Sequence, residues 1–262
     1  MRDSIHFFAS ALLAGAMIVP QPAAAQAQTA DPAMAHNEQV VRKLIEESDP
    51  DVTFLARLKM MRAHLSAAMT NVTNGELSEA REHIKHPGSE ILPEIMSVLM
   101  ARKLKDPSPA LAAALNTLLR GNIADIRNAV AAADSDVALA EDSVDPSKIT
   151  FNGILPDTAV LLLRTAVIEY AGAFKYGKIV NLVEYHDGWA FVAEATRMIE
   201  SAGPEMAARD AAAYDKLSQS LAELQKAWPS DKPPEKTTVP LTKMLALVTI
   251  IELQINRMRA GF

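Results

Sequence analysis

Cysteine is absent from the 262 residues, which excludes disulfides, thiolate metal sites, a cysteine nucleophile and a lipidated N-terminal cysteine. Glycine is scarce at 10 residues and aromatics make up only 5%, while alanine reaches 45, a composition that suits helix interiors rather than sheets or collagen-like repeats. There is no surplus of positive charge: the formal net charge is −6, so the chain lacks the clustered Lys and Arg with which proteins approach phosphate backbones, and nucleic acid is not expected as a partner. G-x-S-x-G, the P-loop, G-x-G-x-x-G, H-E-x-x-H and C-x-x-C-H are all missing, so the chain is not read as an enzyme. What remains, 49% apolar and 22% charged, is a globular composition long enough for a sizeable core.

The one long apolar run lies at the N-terminus. Arg2 precedes 13 apolar or small residues from Phe7 to Val19, followed by Pro20 and an alanine-rich stretch in which Ala23 and Ala25, or Ala25 and Ala27, match the A-x-A cleavage pattern. The run is too short for a bilayer, which needs about 20 residues. Residues 1–25 are therefore expected to be a signal peptide, with cleavage near Ala25 or Ala27 and export to the periplasm. The Ala, Gln, Pro and Thr of 26–37 carry no period and predict a flexible leader.

Helical periodicity dominates beyond that point. Ser48-Asp49-Pro50 reads as a helix start, Phe54, Leu58, Met61, Leu65 and Ala68 share one face, and Asn74-Gly75 closes the helix. Short helices follow, with a turn expected at Pro87-Gly88, a cap at Ser89, a compact helix from Leu111 to Leu119, and one more from Ile123 into the alanines near 133. The acidic series between Ala133 and Asp157, with its prolines and Asn152-Gly153, is the expected domain boundary. Beyond it, Asp157 and Asn181 are expected caps, Gly177 and Gly203 expected stops, and helices are expected from Pro204 to Trp228 and from Pro240 to Arg259. The expected fold is all-α, with two packed helical bundles: an irregular N-terminal helical domain over 38–145 and a four-helix antiparallel bundle over 146–262.

Two constellations carry potential chemistry. His83 and His86 sit three apart on one helix face, Glu79 and Glu90 extend that row by steps of four, and His64 lies on the preceding, antiparallel helix. Imidazoles and carboxylates from adjacent helices suit a borderline divalent cation, and iron, copper and zinc all fit. The competing reading is a solvated face, with His86 favoured at a helix C-terminus and His83 paired to Glu79. In the second half, Glu184, Asp187 and Glu194 line one side of a helix, a row suited to a hard cation through oxygen or, more blandly, to helix capping. Tyr170, Tyr185 and Trp189 read as core residues with polar tips, and His186 is expected to be exposed.

From Leu161 to Ala202, Glu169-Tyr170, Gly177-Lys178-Ile179-Val180-Asn181, Glu184-Tyr185-x-Asp187 and Phe191 resemble the periplasmic helical region of bacterial high-affinity iron permeases. His64-Leu65 and Ala80-x-x-His83-x-x-His86-Pro87-x-x-Glu90 resemble secreted helical proteins of unknown function that pair such a histidine segment with the second one. The permeases' membrane helices and acidic transport motif are absent, so the resemblance does not imply transport by this chain. It implies metal ligation by His64, His83, His86 and Glu90, with Glu184 and Asp187 as further ligands. The expected function is a periplasmic protein binding iron, copper or another transition metal, or a metal complex, as an accessory to uptake or homeostasis beside a periplasmic or membrane transport protein. The alternative is a metal-free periplasmic protein-interaction module.

Overall fold

The computed structural model describes residues 32–261, so the expected signal peptide and the start of the expected leader lie outside the described residues. The leader's last six positions, however, are helical: α1 covers Pro32–Glu47. Asn37 explains why a segment without obvious period is ordered. Its amide donates to the Arg164 carbonyl at 3.1 Å and accepts from the Arg164 guanidinium at 3.0 Å, a buried pairing across 127 residues that local sequence does not announce.

Helix α2 (Pro50–Asn74) starts and stops as expected. Asp49 accepts from the Asp51 amide at 2.9 Å, Pro50 occupies the first turn, and Gly75 closes the helix at φ 80°, a conformation open to glycine at no steric cost. The expected apolar face is buried, but so are Leu55, Met60, Ala63 and Ala67 on other sides. A helix buried nearly all round is a central one, and α2 packs on helices of both halves.

The expected turn at Pro87-Gly88 does not form. Helix α3 (Leu77–His86) runs through one widened π-helical stretch, Pro87–Ile91, into α4 (Leu92–Ala101), and Ser89 donates to the Lys85 carbonyl at 3.1 Å instead of capping. Proline removes a backbone donor and crowds the preceding turn, and a π-helical stretch absorbs both effects without ending the helix. Pro87 and Ile91 are buried there, so packing holds the chain in line where local turn chemistry would release it.

Helices α5 (Ser108–Leu118) and α6 (Ile123–Glu141) complete the first half, with Asn122 capping α6 through the Asp125 amide. The acidic series expected to mark a boundary belongs in large part to α6: Asp134 and Glu141 pair with Arg62, Glu141 also pairs with Lys59, and Asp136 pairs with Lys105. The irregular connection is confined to 142–154.

Helix α7 (Leu155–Ala173) begins two residues before Asp157, whose carboxylate pairs with Arg259 at 2.8 Å rather than capping. It ends in a hairpin, Phe174–Lys175 against Lys178–Ile179, turned by Tyr176 and Gly177 at φ 53° and 74°. Asn181 caps α8 (Leu182–Ser201) by accepting from the Val183 and Glu184 amides. The helix expected from Pro204 to Trp228 is two, α9 (Gly203–Arg209) and α10 (Ala211–Gln225), because Asp210 is extended and caps the second; α11 (Leu241–Ala260) follows. The fold is all-α apart from the hairpin, with a four-helix bundle in its C-terminal part. Buried side chains of both halves form one contiguous core cluster. At Gly188 a Cβ would meet Trp228 at 2.8 Å and the Ala166 carbonyl at 3.1 Å, so α7 and α8 approach closely beside Asp187.

Candidate metal centre

The reversal at Gly75 lays α3 against α2, which brings His83 and His86 beside His64. Helix α8, its start fixed by Asn181, delivers Asp187 from the opposite side. Asp187 Oδ1 lies 2.6 Å from His64 Nδ1 and 2.8 Å from His83 Nδ1, and its Oδ2 lies 3.3 Å from His86 Nδ1. His64, His83 and Asp187 are buried, at 4%, 0% and 1% exposure.

These separations are those of hydrogen bonds, yet the directions are not. The three Nδ1 atoms and Asp187 Oδ1 are all buried, and despite these short separations none makes a well-directed hydrogen bond. Buried polar atoms are rarely left so. Donors arranged around one ion at about 2.1 Å lie roughly 3.0–3.4 Å from one another, with lone pairs aimed at the ion and not at each other. Only the 3.3 Å contact of His86 has that spacing, and the contacts at 2.6 and 2.8 Å are shorter, so a bound ion would spread His64 and His83 slightly from Asp187; the unmade hydrogen bonds, not the distances, fit a metal.

Neighbouring groups set the tautomer of His83. The Asp231 carbonyl can only accept, so His186 Nε2, 2.8 Å away, donates to it. His186 Nδ1 is then an acceptor, facing Asn71 Nδ2 at 3.2 Å and His83 Nε2 at 3.5 Å. Asn71 Nδ2 also meets Glu76 Oε2 at 2.7 Å, which confirms the amide nitrogen as donor. His83 thus donates through Nε2, and in neutral form its Nδ1 is an acceptor 2.8 Å from a carboxylate oxygen. Acceptor against acceptor at 2.8 Å requires a cation, a proton or a metal ion.

Electrostatics agree. For Asp187, burial alone would raise the pKa, but the imidazoles of His64 and His83 outweigh it and hold the carboxyl well below its usual range. Burial pushes His64 down and His186 down. His86 feels the same burial, yet Asp187, Glu90 and Glu184 overcome it and raise its pKa.

A second group adjoins the first. Glu169 of α7 and Glu184 of α8 bring carboxylate oxygens within 4.8 Å of each other and of Asp187. Burial, then Glu184, Asp187 and Glu90, push Glu169 well above the ordinary carboxylate range. Both groups border a cavity of about 250 Å³, whose apolar walls include Met60, Ile91 and Phe191. Phe191 stacks edge-on against His64 at 5.2 Å. Gly172 lets the Glu184 side chain lie against α7, 3.5 Å from where a Cβ would stand.

Of the residues singled out in the sequence, His64, His83, His86 and Asp187 converge, and Glu184 joins Asp187 in the second group. Glu90 lines the same cavity behind His86, with 3.8 Å between its Oε1 and His86 Nε2, and stands outside both donor groups. Glu79 accepts from Ser78 and Glu194 pairs with Lys59 and Arg197, so neither joins the centre. His186, expected to be exposed, is buried at 3%. Residue alternation misplaced it because α8 is covered on that side by α2, α3 and the loop carrying Asp231. Asn71 is not singled out in the sequence, and Glu169, though part of the stretch that resembles the permease region, is not among the expected ligands. The available signal for Glu169 is an acidic residue set directly among Ala166, Val167, Ile168, Tyr170 and Ala171.

Neither a curated protein nor a solved structure matches the chain. A family model does match in part, over the span from α7 to α11, which holds Glu169, Glu184 and Asp187 but none of His64, His83 and His86. Residues 157–260 are similar to the iron permease-associated 4-helix bundle domain, as the resemblance in the second half of the sequence implied.

Proposed function

We propose that this chain is a periplasmic metal-binding protein that takes up iron or copper, as an accessory to iron uptake or homeostasis. The observation that carries this reading is the convergence of three orphaned imidazole nitrogens and an orphaned carboxylate oxygen in a buried space. Neutral nitrogen with carboxylate oxygen suits Fe²⁺, Cu²⁺ and Zn²⁺, and the absence of cysteine leaves no thiolate to bias the choice. The similarity of 157–260 to an iron permease-associated domain favours iron among them. The apolar run from Phe7 to Val19 with its A-x-A sites supports export, and among the described residues no helix is long and apolar enough to cross a membrane. A metal cargo reaches the centre past Glu90 and His86, whose side chains are 28% and 13% exposed.

The test is elemental analysis of the purified chain, followed by titration of chelator-treated protein with Fe²⁺ under anaerobic conditions, Cu²⁺ and Zn²⁺. At least one tightly bound equivalent is expected, lost in the His83→Ala/His86→Ala double variant with helical circular dichroism retained. A chain that binds none of the three ions, and instead captures a periplasmic partner equally well with and without chelator, would establish the metal-free interaction module in its place.

A further inference from the structure

We propose that the centre is built for two cations: one held by His64, His83 and His86, the other by Glu169 and Glu184, with Asp187 shared between them. The inference rests on the metal-binding reading and deepens it. The two donor groups are separate sets joined at one residue, each with its ligand atoms within 4.8 Å of one another. Asp187 belongs to both: its Oδ1 and Oδ2 approach the three imidazoles, and one of its oxygens also lies within 4.8 Å of carboxylate oxygens of Glu169 and Glu184. The side chain is 1% exposed and its Oδ1 has no hydrogen-bond partner.

The acidic cluster does not stand alone. The cavity that Glu169, Glu184 and Asp187 border is also bordered by His64, which is buried and whose Nδ1, beside Asp187 Oδ1, has no hydrogen-bond partner. At about 250 Å³ the cavity has room for a second ion together with several waters, each of which takes roughly 30 Å³. Three carboxylates gathered in a largely buried space demand compensation by positive charge. The donor sets differ in kind. Three imidazoles select a borderline ion such as Fe²⁺, Cu²⁺ or Zn²⁺, whereas an all-oxygen set selects a hard one such as Mn²⁺ or Fe³⁺. The two positions are therefore chemically unequal.

Electron paramagnetic resonance with Mn²⁺ tests this. The purified chain is first given one equivalent of Zn²⁺ and then titrated with Mn²⁺, whose free-ion signal disappears on binding. The wild type is expected to take up one Mn²⁺ beyond the Zn²⁺. Glu169→Gln is expected to keep its Zn²⁺ and bind Mn²⁺ at least ten-fold more weakly, the retained Zn²⁺ showing that the variant is folded. Wild-type protein that holds Zn²⁺ but no Mn²⁺ overturns the second position and leaves the first intact, meaning that a shared proton alone compensates the carboxylates. Protein that holds neither ion overturns the metal-binding reading and this inference with it. Undiminished Mn²⁺ binding in Glu169→Gln overturns the assignment of ligands. Should that variant lose Zn²⁺ as well, the wild type with two equivalents of Mn²⁺ decides: ions sharing a carboxylate sit about 4 Å apart and give an exchange-coupled spectrum. Two independent Mn²⁺ signals would rule out sharing through Asp187.

Discussion

Asp187→Asn is the most informative single change, because it keeps the shape of the side chain and removes the charge on which three imidazoles converge. In the metal-free protein the substitution leaves His64 and His83 beside a neutral amide at 2.6 and 2.8 Å. The carboxylate's own burial penalty disappears with its charge, so the net cost is that of unmade buried hydrogen-bonding groups, about 1–3 kcal/mol. For a chain of this size each kcal/mol moves the melting temperature by roughly 2–4 °C. The metal-dependent effect has a different signature. At a metal concentration 100 times Kd the wild type gains about 2.7 kcal/mol, equivalent to a rise of roughly 5–11 °C. Loss of the only anionic member of the histidine group, a direct ligand in the proposed centre, should weaken binding at least as much as the upper end of the roughly 10- to 100-fold loss typical of outer-shell partners. The same metal concentration then stands near Kd and contributes only about 0.4 kcal/mol, a shift of roughly 1–2 °C. Scanning calorimetry of both proteins at pH 7, with and without Zn²⁺ or anaerobic Fe²⁺, separates the two effects. An equal metal-induced shift in wild type and Asp187→Asn would refute the reasoning, since metal would then be bound away from Asp187.

His186→Phe should leave the helical signal intact and weaken metal binding about 10- to 100-fold, because nothing would then accept from His83 Nε2 and fix its tautomer; unchanged affinity by calorimetric titration would contradict the relay. The raised pKa of His86 means that metal-free protein carries more charge there at pH 7 than a free histidine would. Its contribution to stability is complete below the ordinary histidine value and is lost as pH rises through the folded value. Metal must displace that proton, so titrations in buffers of different ionisation enthalpy should show proton release at pH 7 that is smaller in His86→Ala. Gly188→Ala places a methyl 2.8 Å from Trp228, and urea unfolding should show a loss of about 1–3 kcal/mol; a neutral result would mean that the contact between α7 and α8 yields easily.

Legibility in the sequence followed the range of the interactions involved. Gly75 and Asn181 act within a few residues of themselves, and both the stop and the cap they signal are present. Pro87-Gly88 carries an equally strong local signal, but burial of Pro87 and Ile91 overrides it, and His86 lies within a continuing helix rather than at its end. The acidic stretch around 134–141 reads as a linker only while Arg62, Lys59 and Lys105, between 29 and 82 residues away, are out of view. The centre divides in the same manner. His83 and His86 share a helix and are found from spacing, and His64 from the short reversal before them. Glu169, Asn71 and His186 enter only through the packing of α7 and α8 against α2, which no periodicity states. That division coincides with the limits of the family match. Residues 157–260 supply Glu169, Glu184 and Asp187, all oxygen donors, and the N-terminal half supplies every imidazole of the histidine group. A chain with the matched region alone would present an oxygen site suited to hard ions. In the proposed two-cation centre, α2 and α3 turn one side of that site to nitrogen, which would assign the preference for a borderline transition metal to the half of the chain that the family match leaves out.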